Sequence, residues 1–193
     1  MKKLAIILSS LFLMLSASAA HAVTVTYDFA GMNDIDDDIE TFANGFIADS
    51  GTILDVNVAF QITPEYAGDI SVFLNFNGTS ITLISAAEDD VLDAYYDVVL
   101  DDESGNSLPL SGTIDGTFAP EEALSAFDSM NANGLWSLSF LDTYEPGEDN
   151  TLLGWSLEIT YGDDYIAREV SAPASLGLLG LGLAGFGLAR RRG

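Results

Sequence analysis

From Val23 to Tyr161 apolar and polar residues alternate in short runs, with turn residues between them. Val23 to Phe29 alternates at period two, as a strand with one buried face does. The same pattern returns over Gly51 to Ile62, Asp69 to Phe76, Ser80 to Ser85, Ala94 to Leu100, Gly112 to Phe118, Leu135 to Leu141 and Leu152 to Tyr161. Pro64, Asn77-Gly78, Ser104-Gly105-Asn106, Asn133-Gly134 and Pro146-Gly147 punctuate these runs. Asn-Gly between two β-runs is a hairpin signal, because both residues accept positive φ. Asn77-Gly78-Thr79 also matches a glycosylation acceptor, and the turn is the simpler expectation. Met32 to Glu40 is expected to be an acidic loop, and Pro120 to Phe127 can form a single helical turn. No long segment has helical periodicity. Short, evenly spaced strands of this kind predict an all-β fold, a jelly-roll-like antiparallel β-sandwich.

The two ends are of another kind. Lys2 and Lys3 precede an apolar run from Leu4 to about Leu15, and Ala20-His21-Ala22 then supplies small residues for cleavage. This is the layout of a signal peptide, with Ala20 and Ala22 as the cleavage determinants and Val23 as the mature start. A membrane anchor is the alternative, but the run is short for a span. At the other end Ala174 to Ala189 is apolar and is closed by Arg190, Arg191 and Arg192. Such a run is expected to be a hydrophobic helix, with the arginines kept on the cytoplasmic side.

Charge divides along the same lines. All 30 acids lie between Asp28 and Glu169, and Arg168 is the one base among them, a formal charge of −29 for that stretch. Such a surface repels nucleic acid and anionic membranes and attracts cations. The chain has no cysteine, so stability must come from its core or from a metal. Its single histidine, His21, lies in the signal segment, and the stretch from Val23 to Glu169 has no lysine. Ser-His, Cys-His, Ser-Lys and Schiff-base chemistry all lack a required group there, so no catalytic residue is assigned and the body is expected not to be an enzyme. Carboxylate pairs could serve a glycosidase, but with 30 acids some pair will stand at the right distance by chance. Calcium suits the inventory better, since it takes six to eight oxygen ligands. Asp34 to Asp38, Glu88 to Asp90 with Asp93, and Asp101 to Glu103 all offer oxygens, although none follows an EF-hand pattern.

Several motifs, in order, resemble the P domain (P/Homo B domain) found beside subtilisin-like catalytic domains. They are Ile53-Leu54-Asp55-Val56-Asn57-Val58, Tyr66-Ala67-Gly68-Asp69-Ile70, Leu100-Asp101-Asp102-Glu103, Gly116-Thr117-Phe118-Ala119-Pro120, Asn133-Gly134-Leu135-Trp136-Ser137-Leu138 and Leu152-Leu153-Gly154-Trp155-Ser156-Leu157. The resemblance implies a jelly-roll module that often carries calcium, and it places Asp69, Asp101 and Asp102 on the acidic positions of the family as the expected metal site. Asn150 stands where the family pattern has glycine. Trp136 and Trp155 are expected in the sandwich core rather than at a ligand platform. The tail, in turn, resembles the PEP-CTERM sorting signal of Gram-negative bacteria, with Ser171-Ala172-Pro173 in place of Pro-Glu-Pro, then the apolar run and the arginines.

The expected organisation is a signal peptide at 1–22, an N-terminal strand and acidic loop at 23–46, the sandwich at 47–162, a linker at 163–169 and the sorting signal at 170–193. The resemblances imply processing by signal peptidase and an exosortase, with transient anchoring through the C-terminal helix. The expected product is an exported, calcium-stabilised interaction module at the cell surface or in the matrix, meeting a surface polysaccharide. The alternative is an accessory that works with a separate subtilisin-like protease.

Overall fold

The computed structural model describes residues 21–33, 35, 39–63, 69–86, 96–109, 113–142 and 150–168. Among these residues nine strands make two sheets: β1 (Val23–Asn33), β2 (Thr41–Ile47), β3 (Ile53–Thr63), β4 (Ile70–Phe76), β5 (Thr79–Ile84), β6 (Tyr96–Leu100), β7 (Ile114–Phe118), β8 (Gly134–Asp142) and β9 (Thr151–Tyr161). The five-stranded sheet has the order β1-β9-β3-β6-β7 and the four-stranded sheet β2-β8-β4-β5. Neighbours are antiparallel except β6 and β7, which run parallel. The fold is the expected all-β sandwich.

Alternation drives the packing. In β4, Ile70, Val72, Leu74 and Phe76 are buried while the residues between them are half-exposed. The inward residues of both sheets form a single apolar cluster. Phe60 of β3 meets Phe140 of β8 edge-on across the interior, their centroids 6.3 Å apart. Asn77 and Gly78 join β4 to β5 with φ of 49° and 82°, the positive angles a two-residue hairpin of this hand requires. The helical turn is a short 3-10 segment, Leu124–Phe127, whose Leu124 and Phe127 enter the core.

Three elements differ from the sequence expectation. β1 continues past Phe29 to Asn33. The stretch before residue 47 contains β2, which pairs with β8 from Thr41↔Phe140 to Ile47↔Gly134. Residues 163–168 are fastened to the body: Ser50 and Ile166 exchange backbone hydrogen bonds of 3.1 and 2.7 Å. Both tryptophans lie in the core, Trp136 fully and Trp155 nearly so.

Candidate functional site

Register sets the sandwich between two poles. At one, β1 begins beside the end of β9, with Val23 opposite Tyr161. At the other, β1 ends beside the start of β9, with Asn33 opposite Thr151. The sequence-predicted metal ligands divide between them. Asp69 lies at the far pole, where it precedes β4 and influences Tyr96 at the start of β6. Burial first, and the Asp69 charge second, push the Tyr96 hydroxyl up to about 12. Asp101 and Asp102 follow the end of β6, about 16 Å away at the rise of a five-residue strand. The structure therefore brings Asp101 and Asp102 together without Asp69. Among the described residues no three acidic side chains lie close enough to hold a metal ion.

Asp101 and Asp102 organise local backbone. The Glu103 N–H donates to Asp101 Oδ1 at 2.8 Å. Asp102 accepts the N–H groups of Leu124 and Ser125, both at 2.8 Å, and so satisfies the otherwise orphaned donors of the 3-10 turn. Acids crowd around this loop. Burial, then the charge of Asp101, raises Asp55 above its ordinary range. Asp128 rises through burial and then Asp102. Glu103 rises mainly by sharing a hydrogen bond with Asp101.

A second constellation at the far pole gathers around Asp69. Ile70 is paired with Asp142, whose side chain is 1% exposed, and Asn150 Nδ2 donates to Asp142 Oδ2 at 2.7 Å. Asn150, the residue that departs from the family pattern, is thus a buried structural group.

The near pole holds the first and the last described residues, 21–23 and 163–168. Ala22 and Val23 are exposed at the start of β1. The His21 N–H donates to Asp163 Oδ1 at 2.7 Å. At the C-terminal side Asp49 fastens the exit of the chain. Its Oδ2 accepts the hydroxyls of Tyr27 at 2.8 Å and Tyr165 at 2.9 Å, and its Oδ1 accepts the Arg168 N–H at 2.7 Å. Burial alone would raise the Asp49 carboxyl, but these three hydrogen bonds together hold it below the usual range. Tyr27 also shares a hydrogen bond with Tyr161, at 2.8 Å. Burial raises both phenols, Tyr161 to about 12. Sequence reading missed Asp49, because its partners lie 22, 116 and 119 positions away and no local pattern marks them. Ala20 and the sorting residues Ser171, Ala172, Pro173, Arg190, Arg191 and Arg192 lie outside the described residues, as does the expected C-terminal helix. Among the described residues no helix is long and apolar enough to cross a membrane.

Three solved structures are similar to the chain at low identity. The serine protease of Aeromonas sobria aligns at 16% identity and a TM-score of 0.43, over 72% of this chain and 27% of that one. The same protease in complex with the chaperone ORF2 aligns at 16% identity and a TM-score of 0.45, over 73% and 27%. FLHE aligns at 10% identity and a TM-score of 0.41, over 75% and 98%. The chain thus spans about a quarter of the length of the protease structures. No curated protein matches the sequence. Residues 169–192 match the PEP-CTERM protein-sorting motif, so the chain carries, directly after the segment held by Asp49, the signal that marks exported proteins for exosortase processing.

Proposed function

We propose that this is a non-catalytic interaction module of P-domain type, delivered to the Gram-negative cell surface or matrix and released from its tail by an exosortase. The carrying observation is the position of the sorting motif. It begins at residue 169, directly after Arg168, whose backbone N–H is held by Asp49, and Val23, the proposed mature start, stands at the same pole. Val23 and Arg168, the described residues next in sequence to the two apolar ends, therefore stand at one side of the domain. The inventory supports the absence of catalysis, since the body lacks the bases that nucleophilic mechanisms require. The test is expression of the full chain in host cells with and without the exosortase. A shorter product at the surface only when the enzyme is present is expected. A product of the same size in both strains overturns the assignment.

Calcium belongs to the same proposal, at the far pole rather than at Asp101 and Asp102. Asp69 and Asp142 offer two carboxylates at adjoining strand ends, the kind of oxygen donor a calcium ion takes, with Asn150 orienting Asp142. The capping duties of Asp101 and Asp102 make them poorer ligands. The melting temperature of the exported protein is expected to rise with millimolar calcium. The increment should shrink in Asp69→Asn and persist in Asp102→Asn. An unchanged melting curve upon chelation removes calcium from the proposal and leaves the sorting assignment intact.

The P-domain motifs favour one second reading, an accessory that docks on a separate subtilisin-like protease. Co-purification of such a protease with the exported protein distinguishes the two.

A further inference from the structure

The outer face of the four-stranded sheet carries an arrangement that the acidic composition gives no reason to expect. Register lays its side chains in three rows across the strands. Phe42, Ser139 and Phe73 form one row, Asn44, Ser137 and Asn75 the next, and Phe46 with Leu135 the third. Three of the apolar members are open, Phe46 at 59% exposed, Leu135 at 57% and Phe42 at 48%, whereas Phe73 is half-buried and Ser139 beside it is fully buried, so the open part of the face runs from Phe42 along β2 to Leu135. Phe42 and Phe46 stand about 13 Å apart along β2, at two side-chain repeats.

The middle row is a connected set of neutral polar groups. Ser137 donates its hydroxyl to Asn44 Oδ1. Asn75 Nδ2 donates to Ser139 Oγ at 2.8 Å, and Ser139 donates in turn to Glu40 at 2.7 Å. These bonds fix the orientation of both amides. They leave Asn44 Nδ2 as donor and Asn75 Oδ1 as acceptor for other partners, since an amide offers two donors and one carbonyl oxygen. Beside Asn75 the face deepens into an open notch of about 240 Å³, between the β4–β5 hairpin and β8. Its lining includes Asn77, Ser80 and Ser137 and no charged residue.

We propose that this face binds an extended, uncharged polysaccharide. The inference rests on reading the body as an interaction module and names its ligand. Charge selects the occupant. One residue in about five from Asp28 to Glu169 is acidic, yet the three rows and the notch contain no acid and no base, with Glu40 at one margin and Glu122, which accepts the N–H of Thr82 beside Phe73, at the other. A polyanion or an anionic bilayer would meet a strongly negative body with no compensating cation on the face. A second copy would bring another charge of −29 against the first. A neutral chain of hydroxyls and C–H surfaces meets neither penalty. Its hydroxyls match the amide row, and its apolar surfaces cover the rings and Leu135, which are costly to leave in water.

Affinity electrophoresis of the exported protein tests this, in native gels cast with a neutral glucan, mannan or galactan and, separately, with alginate. Retardation by at least one neutral polymer and none by alginate is expected. Phe46→Ala and Asn44→Ala should each weaken binding about tenfold, the effect of truncating one central contact. Leu153→Ala, an exposed apolar residue on the other sheet, should leave it unchanged. No retardation by any neutral polymer, retardation by alginate alone, or equal binding by the Phe46 and Asn44 variants overturns the proposal. So does a dimer in solution that Phe46→Ala dissolves, which would make the face a contact between copies. Exosortase processing of Phe46→Ala should be normal, so failure here stays separate from failure of the sorting assignment.

Discussion

Trp136→Ala is expected to destabilise the body by about 3–5 kcal/mol, the usual range for removing a large buried aromatic side chain. Trp136 is fully buried in β8 and lies face to face with Phe76 of β4, ring centroids 3.9 Å apart and planes 3° from parallel. Phe127 of the 3-10 turn closes the cluster at 5.2 Å from Trp136 and 6.4 Å from Phe76. The indole N–H donates to the Ala132 carbonyl at 3.0 Å, itself inside the core. Truncation would leave a cavity among rigid rings and an unsatisfied carbonyl, two costs that add. Against a typical domain stability of about 5–15 kcal/mol, the variant would lose much of its margin. Urea denaturation followed by Trp155 fluorescence measures it. A midpoint within error of the parent would mean the cluster is not a structural centre. Trp155 provides the contrast. It packs on Phe29 at 4.4 Å, but its buried N–H has no hydrogen-bond partner among the described residues. Trp155→Phe should therefore cost less than Trp136→Phe, because only the second breaks a hydrogen bond.

What the sequence revealed depended on which residues face inward. β3, β4, β8 and β9 bury most of their large residues, with Leu54, Leu135 and Leu153 as exposed exceptions, so alternation marks them directly. β2 inverts that rule. Ala43, Gly45 and Ile47 point into the core while Phe42 and Phe46 point out. Two small inward residues beside two outward rings look like a loop in a hydrophobicity pattern. The cause lies far away in sequence: the Phe29 ring occupies the space over Gly45, where an added Cβ would lie 2.4 Å from it. The same inversion hides the proposed binding face, because its rings belong to a strand the pattern does not mark. The parallel pairing of β6 and β7 is equally silent, since the segment between them carries nothing that sets direction. Asp69, Asp101 and Asp102 were legible as acidic positions, but their separation follows from the register of β3 and β6. No local motif reports that register.

Gly31→Ala is expected to cost on the order of 3 kcal/mol or more, which for a chain of this length lowers the melting temperature by about 6–12 °C. The cause is contact, since Gly31 does not require a positive φ. Between Ala30↔Gly154 and Met32↔Leu152 the β9 backbone passes so close that a Cβ on residue 31 would lie 2.0 Å from the Leu152 carbonyl oxygen and 2.5 Å from the Leu153 carbonyl carbon. These are main-chain atoms of a strand paired on both sides, by β1 and by β3, so they cannot rotate away. Relief requires the end of β1 to lift from β9. Gly78→Ala makes the opposite case: a Cβ there meets nothing within 4 Å, and its cost comes only from a φ of +82°. It should lose about 1 kcal/mol, the usual order of a single strained backbone residue. Hydrogen exchange separates the two, because Gly31→Ala should speed exchange along β1 from Ala30 to Asn33 and Gly78→Ala should confine its effect to the hairpin. Equal protection of β1 in Gly31→Ala and the parent would show that β9 yields instead. The glycine that ends the alternating pattern after Phe29 is thus what allows β1 to continue, and a strand boundary read there from sequence marks a close approach of two backbones.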